Sequence, residues 1–218
     1  MQPERQTVNY GATSVTETRN RVLRNTYALL GMSLVVSAVM AWVSLAFALP
    51  HPGLFITLGV YFGLLWAVHQ FRDRDFAILL VFALTGFLGY TIGPIIGFYL
   101  QANPNIVINA LATTAAVFIG LSAYVVTTKK DFSFMGGFLV AGILAAFVAG
   151  LAAYFFNMPG LSLAVSYAFV MLMVGLILWE TSRIVNGGET NYVLATVTLF
   201  VSIFNLFTSL MHIFGSDE

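Results

Sequence analysis

Apolar residues fall into seven long runs, at residues 27–49, 54–68, 76–100, 106–127, 132–156, 161–179 and 192–214, separated by short polar stretches. Most runs reach the roughly 20 residues that a helix needs to cross a hydrocarbon core of about 30 Å. In that core every backbone N–H and C=O must be bonded within its own segment, so the runs are predicted to be membrane-spanning helices. The second run is short and is expected to extend past Trp66 to His69 at the interface. Gly93-Pro94 interrupts the third, where a missing amide and a ring clash should bend the helix. Pro50, Pro52, Pro104 and Pro159 lie between runs and act as stops.

The basic residues give this pattern a direction. Arg5, Arg19, Arg21 and Arg24 precede the first run, Arg72 and Arg74 follow the second, Lys129 and Lys130 follow the fourth, and Arg183 follows the sixth. The loops at residues 49–53, 101–105 and 157–160 contain no Lys or Arg. Lys and Arg are retained on the cytoplasmic side, so the N-terminus is expected inside. Seven crossings then put the C-terminus, with Asp217 and Glu218, outside. Residues 1–24 are polar and are expected to form a flexible cytoplasmic tail ahead of a seven-helix domain at residues 25–218. Such a start does not look like a cleaved signal peptide.

Composition narrows the function classes. Only 8% of residues are charged and 59% are hydrophobic, against about 25% charged in a soluble domain. The zero formal net charge gives no reason to expect nucleic acid as a partner. The absence of cysteine excludes disulfides, thiolate metal sites and cysteine nucleophiles. His51, His69 and His212 fall in separate regions without metal-ligand spacing. There is no Walker loop, HExxH, GxSxG or paired catalytic carboxylate. Neither a cofactor nor enzymatic activity is expected.

Small and polar residues inside the runs mark their packed faces. Helices in lipid approach closely through small side chains. Gly89, Gly93 and Gly97, next to Pro94, recur every four residues in the third run. Gly59 with Gly63, and Gly142 with Ala146 and Gly150, repeat the spacing in the second and fifth. Packing within one bundle is the plain reading of these stripes, and a homodimer face is the alternative. In the last run Thr198, Ser202, Asn205, Ser209 and His212 follow steps of four, three, four and three, which puts them on one helical face. That inward polar stripe could be interhelical hydrogen-bond glue or the lining of a hydrated path.

Glu180 directly follows Trp179 at the end of the sixth run. An ionisable group at such a position is a functional candidate by default. The alternative is a solvated pair with Arg183, three residues on along the same face. If Glu180 faces inward, compensation is expected from Arg183 or from Ser202 and Asn205 on the seventh helix. Asn186-Gly187-Gly188 then breaks the helix.

Four segments carry a resemblance: TGFLGYTIGP at residues 85–94, SAYVVTTKKDFSFMGG at 122–137, ETSRIVNGGETNY at 180–192 and VSIFNLF at 201–207. In this order they resemble the Bax inhibitor-1 (TMBIM) family, most closely its bacterial YccA-like branch, over about residues 22–215. The resemblance implies an all-α integral membrane protein in a bacterial inner membrane, with a central seventh helix wrapped by six others. It implies binding and modulation of FtsH, an ATP-dependent membrane protease of membrane-protein quality control. It also implies an alternative, a pH-sensitive leak for calcium or another cation, gated by two acids. Glu180 stands at the first of those positions, whereas Ser202 stands at the second; the family's arginine falls between Val68 and Arg72. A glutamate opposite a serine lacks the like-charge coupling that raises one pKa of an acidic pair. Protease modulation needs no such pair and is therefore the expected function.

Overall fold

The computed structural model describes residues 10–216. Helices α1 (Tyr10–Ala46), α2 (Leu54–Phe71), α3 (Ala77–Ala102), α4 (Pro104–Thr128), α5 (Gly136–Phe155), α6 (Pro159–Asn186) and α7 (Tyr192–Ser216) follow one another, with a short 3-10 turn at Ser133–Met135 before α5. All seven are long and apolar enough to cross a membrane, so the protein is an all-helical polytopic membrane protein.

The breaks between helices follow local chemistry. Asn103 accepts a hydrogen bond from the Asn105 amide at 2.9 Å, and Pro104 then occupies the first helical position of α4. Pro159 does the same for α6. Gly187, with φ near 80°, ends α6 in a left-handed turn. As expected, α2 continues through Trp66 and His69. Pro94 lies inside α3, which is helical on both sides of it.

Of the expected tail of residues 1–24, the structure describes only the part from residue 10. Residues 10–24 are the first turns of α1, while residues 1–9, like Asp217 and Glu218, lie outside the described residues. Extending an existing helix requires no new nucleus, so polar residues can continue a span that lipid already fixes. Val22 is buried, and the Arg19 guanidinium donates to the carbonyl of Val185 on α6.

Packing is organised around α7. Thirteen of its 25 residues are buried, against one of 18 in α2. It contacts α1, α2, α3, α4 and α6, whereas α5 is set against α6 and the 3-10 turn. The central helix therefore touches five neighbours rather than six. The tightest seam is between α1 and α3. A Cβ on Gly89 would overlap the Ser37 backbone, one on Gly93 would lie 2.6 Å from Ser44 Cβ, and one on Gly97 would lie 2.7 Å from Leu45 Cδ1. The glycine stripe of α3 is thus a backbone-to-backbone seat for α1. Gly142 and Gly175 give close contacts between α5 and α6, to Leu172 and Leu139 respectively. Gly59 and Gly63 differ: nothing lies within 4 Å of a Cβ built on either, so the spacing on α2 packs no helix.

Candidate functional site

The junction between α6 and α7 gathers several of the charged side chains left in the bundle. After Asn186 the chain reverses through Gly187, and the amides of Gly188 and Glu189 donate to the Arg183 carbonyl at 2.8 and 3.1 Å. These bonds satisfy a carbonyl that the helix end would otherwise leave bare. The reversal brings Glu189 back over α6. Its Oε1 accepts from the amides of Thr190 and Asn191 at 3.0 and 2.8 Å. Asn191 Oδ1 accepts in turn from the amides of Val193 and Leu194, capping α7. The Asn191 amide group donates to Asp73 Oδ1 at 2.9 Å, tying the cap to the loop between α2 and α3.

Arg183 bridges two carboxylates across this turn. Nη1 donates to Glu180 Oε2 at 3.1 Å, and Nη2 donates to Glu189 Oε2 at 2.9 Å. The guanidinium also lies 4.5 Å from the ring centre of Trp179. Glu180 is sealed from solvent, with 1% of its side chain exposed, whereas 27% of Arg183 is exposed. Oε1 of Glu180 has no hydrogen-bond partner among the described residues, and the same holds for the buried hydroxyls of Thr26, Tyr27, Ser122 and Thr181. Burying such groups without partners is expensive, which makes this end of the bundle polar out of proportion to its setting.

The seventh-helix stripe does not join this cluster by hydrogen bonds. Ser202 Oγ donates to the Thr198 carbonyl at 2.7 Å and Asn205 Nδ2 to the Val201 carbonyl at 2.8 Å, both within α7. Ser202 is buried, and Ser209 nearly so. At the far end His212 Nδ1 lies 2.8 Å from Ser166 Oγ on α6, and His212 is the one member of the stripe with a side-chain hydrogen bond to another helix among the described residues. Glu180 is therefore compensated by Arg183 on its own helix, and not by Ser202 or Asn205.

Sequence reasoning missed several partners. Glu189, just past the break at Asn186-Gly187-Gly188, is the second carboxylate on Arg183. Ser182 Oγ donates to the Lys130 carbonyl at 3.1 Å and accepts from the Phe132 amide at 2.9 Å, pinning the loop between α4 and α5 to α6. In that loop the hydroxyl and amide of Ser133 hold the Asp131 carboxyl below the usual carboxylate range.

The comparisons with known proteins agree with this architecture. A family model described as "Inhibitor of apoptosis-promoting Bax1" matches residues 19–218. The "Modulator of FtsH protease YccA" of Escherichia coli K12 is 47% identical over 197 residues, covering 90% of this chain and 90% of that protein. An uncharacterized protein of Pseudomonas aeruginosa is 48% identical over 89% of the chain and 88% of its own length. An uncharacterized membrane protein of Vibrio cholerae is 41% identical, covering 90% and 89%.

Proposed function

The chain belongs to the Bax inhibitor-1 family, and from that membership we propose that it is a non-enzymatic modulator of an FtsH-type membrane protease in a bacterial inner membrane. The observation that carries this reading is the likeness to the Escherichia coli modulator, which extends over 90% of both chains. The partition of basic residues supports a cytoplasmic N-terminus and a periplasmic C-terminus.

The bundle suggests how modulation works. A protease that threads polypeptide can grip the polar N-terminal residues, but it must then part the α1–α3 seam, where helix backbones touch. Slow extraction makes the chain a long-lived competitor for the protease. The test is co-purification from native membranes, with turnover of a second membrane substrate measured for the full chain and for deletions of residues 1–9 and 1–20. Capture of the protease, slowed substrate turnover and loss of both effects on deletion are expected. Absence of capture would refute the modulator, and unchanged turnover and inhibition in both deletions would refute the handle.

A second reading, a leak for calcium or protons, is favoured by the buried Glu180 with an unpartnered oxygen. Against it, Ser202 supplies no second carboxylate and its hydroxyl is committed to Thr198. Calcium flux in liposomes decides between them. Robust flux in the unmodified chain that Glu180→Gln abolishes would establish the leak; flux arising only in Ser202→Asp would support the modulator.

A further inference from the structure

Helices α1 and α4 both pack on α7, yet no backbone contact joins them to each other among the described residues. Toward the C-terminal end of α4 the gap is bridged by the rings of Tyr27 and Phe118, whose centres are 5.9 Å apart. Beyond that bridge it stays open as a groove of about 330 Å³. Its walls are α1 over residues 34–45 and α4 over residues 107–114, and its floor is α7 over residues 200–207 with Ile92 and Ile96 of α3.

The dimensions of the groove select its occupant. From residue 34 to residue 45 α1 rises about 16 Å. That is roughly half of a hydrocarbon core of about 30 Å, and so the depth of one leaflet. Spread over this length, 330 Å³ is a mean cross-section of about 20 Å². A helix with its side chains is about 10–12 Å across, or about 80–110 Å². The groove is therefore too narrow for a protein helix, and wide enough for one file of carbon atoms, which pack about 4 Å apart.

The lining chemistry points the same way. No charged residue lines the groove, and of its two hydroxyl residues Ser37 is buried and Thr114 donates to the Ala110 carbonyl at 2.7 Å. Apolar cavities of this kind do not hold water. Leaving this one empty would forfeit dispersion contacts along Ile203, Phe204 and Phe207. Trp42, 65% exposed, lies on the α1 wall one turn before the end of that helix, which suits an indole ring at headgroup level. The groove thus begins at the bilayer surface and ends near its middle, on the periplasmic side in the orientation proposed above.

We propose that this groove holds one acyl chain of an outer-leaflet phospholipid, laid between α1 and α4 against the central helix. The headgroup stays outside, beside Trp42. The site is independent of the protease reading. The chain fills the gap between α1 and α4 and brings lipid into contact with α7, the helix with the most buried residues.

Photolabelling of the full chain in liposomes tests this, using a phosphatidylethanolamine that carries a diazirine midway along one acyl chain. Adducts on Ile203, Phe204 and Phe207 of α7 are expected. Ala38→Trp and Leu111→Trp fill the groove from opposite walls at exposed positions, and each should lower that labelling at least tenfold, with helical content checked by circular dichroism. Val39→Trp, exposed outside the groove, should leave it unchanged. No adduct on α7 in the parent would overturn the proposal, whatever the folding of the variants, and so would undiminished labelling in both filled variants. Equal labelling of the same residues by a diazirine carried on the headgroup would also overturn it, because no chain would then be needed to reach them. So would capture of a second protein chain, in place of lipid, by a photoreactive side chain at position 111.

Discussion

Glu180 and Arg183 stand one turn apart on α6, joined at 3.1 Å, with the carboxylate 1% exposed and the guanidinium reaching outward to a second acid. The arrangement makes Arg183 the partner of a charge that has nowhere else to go. Removing one member of a buried pair strands the other, whereas removing both does not.

Arg183→Ala is accordingly expected to destabilise the bundle by about 3–5 kcal/mol, the range for breaking a buried pair from one side. Glu180→Gln/Arg183→Gln should recover most of that loss. Unfolding in mixed micelles, analysed as a double-mutant cycle, measures the coupling. An Arg183→Ala protein as stable as the parent would show that the pair contributes nothing.

The α1–α3 seam gives a sterically sharper outcome. Gly89→Ala places a methyl against the Ser37 backbone and should cost about 1–3 kcal/mol by overpacking, or more if α1 cannot shift. Gly59→Ala meets open space and should be neutral or slightly stabilising, since alanine favours helix by about 1 kcal/mol. Equal effects at the two sites would show that this close approach is not formed.

Topology is checked by reporters fused after Lys130 and after Glu218. They are expected on opposite sides, the first cytoplasmic and the second periplasmic, because three helices lie between them. Reporters on one side would contradict seven crossings.

Asp131 supplies the pH dependence. Ser133 lowers its folded pKa below the unfolded value of about 3.9. The group therefore contributes stability that is fully present above the unfolded pKa and disappears as pH falls through the folded one. Asp131→Ala should lower the melting temperature slightly at pH 7, and the difference from the parent should shrink below about pH 4. A difference that persisted unchanged in acid would assign the effect to something other than the carboxylate.

The helices were legible because bilayer thickness imposes a length on each apolar run, and proline and glycine punctuate the gaps. Their ends were less so. The sixth run reads as ending at Trp179, yet the helix continues through Glu180, Thr181, Ser182 and Arg183 to Asn186. Those polar residues face other protein segments rather than lipid, which hydropathy alone cannot distinguish. The helical continuation of α1 through residues 10–24 leaves no apolar period either. The α7 stripe was visible as a stripe, but not as a set of side chains bonded to their own helix. Ser202 and Asn205 each reach a carbonyl four residues back, an option any serine or asparagine in a helix has. Glu189 could not be paired with Arg183 from spacing, because the pairing depends on the left-handed residue Gly187 turning the chain back.

The placement of α2 gives the bundle a mechanical anisotropy. Tension applied at the first helix loads its seam with α3 in shear along the whole glycine row, and tension applied at the last helix must draw it from among five neighbours. The second helix, with one buried residue of 18, is the least embedded element, yet a pull from the N-terminus meets the first helix before it, and a pull from the C-terminus meets five others first. Both termini thus lead into the most resistant parts of the fold, and the weakest part is shielded by its position in the sequence.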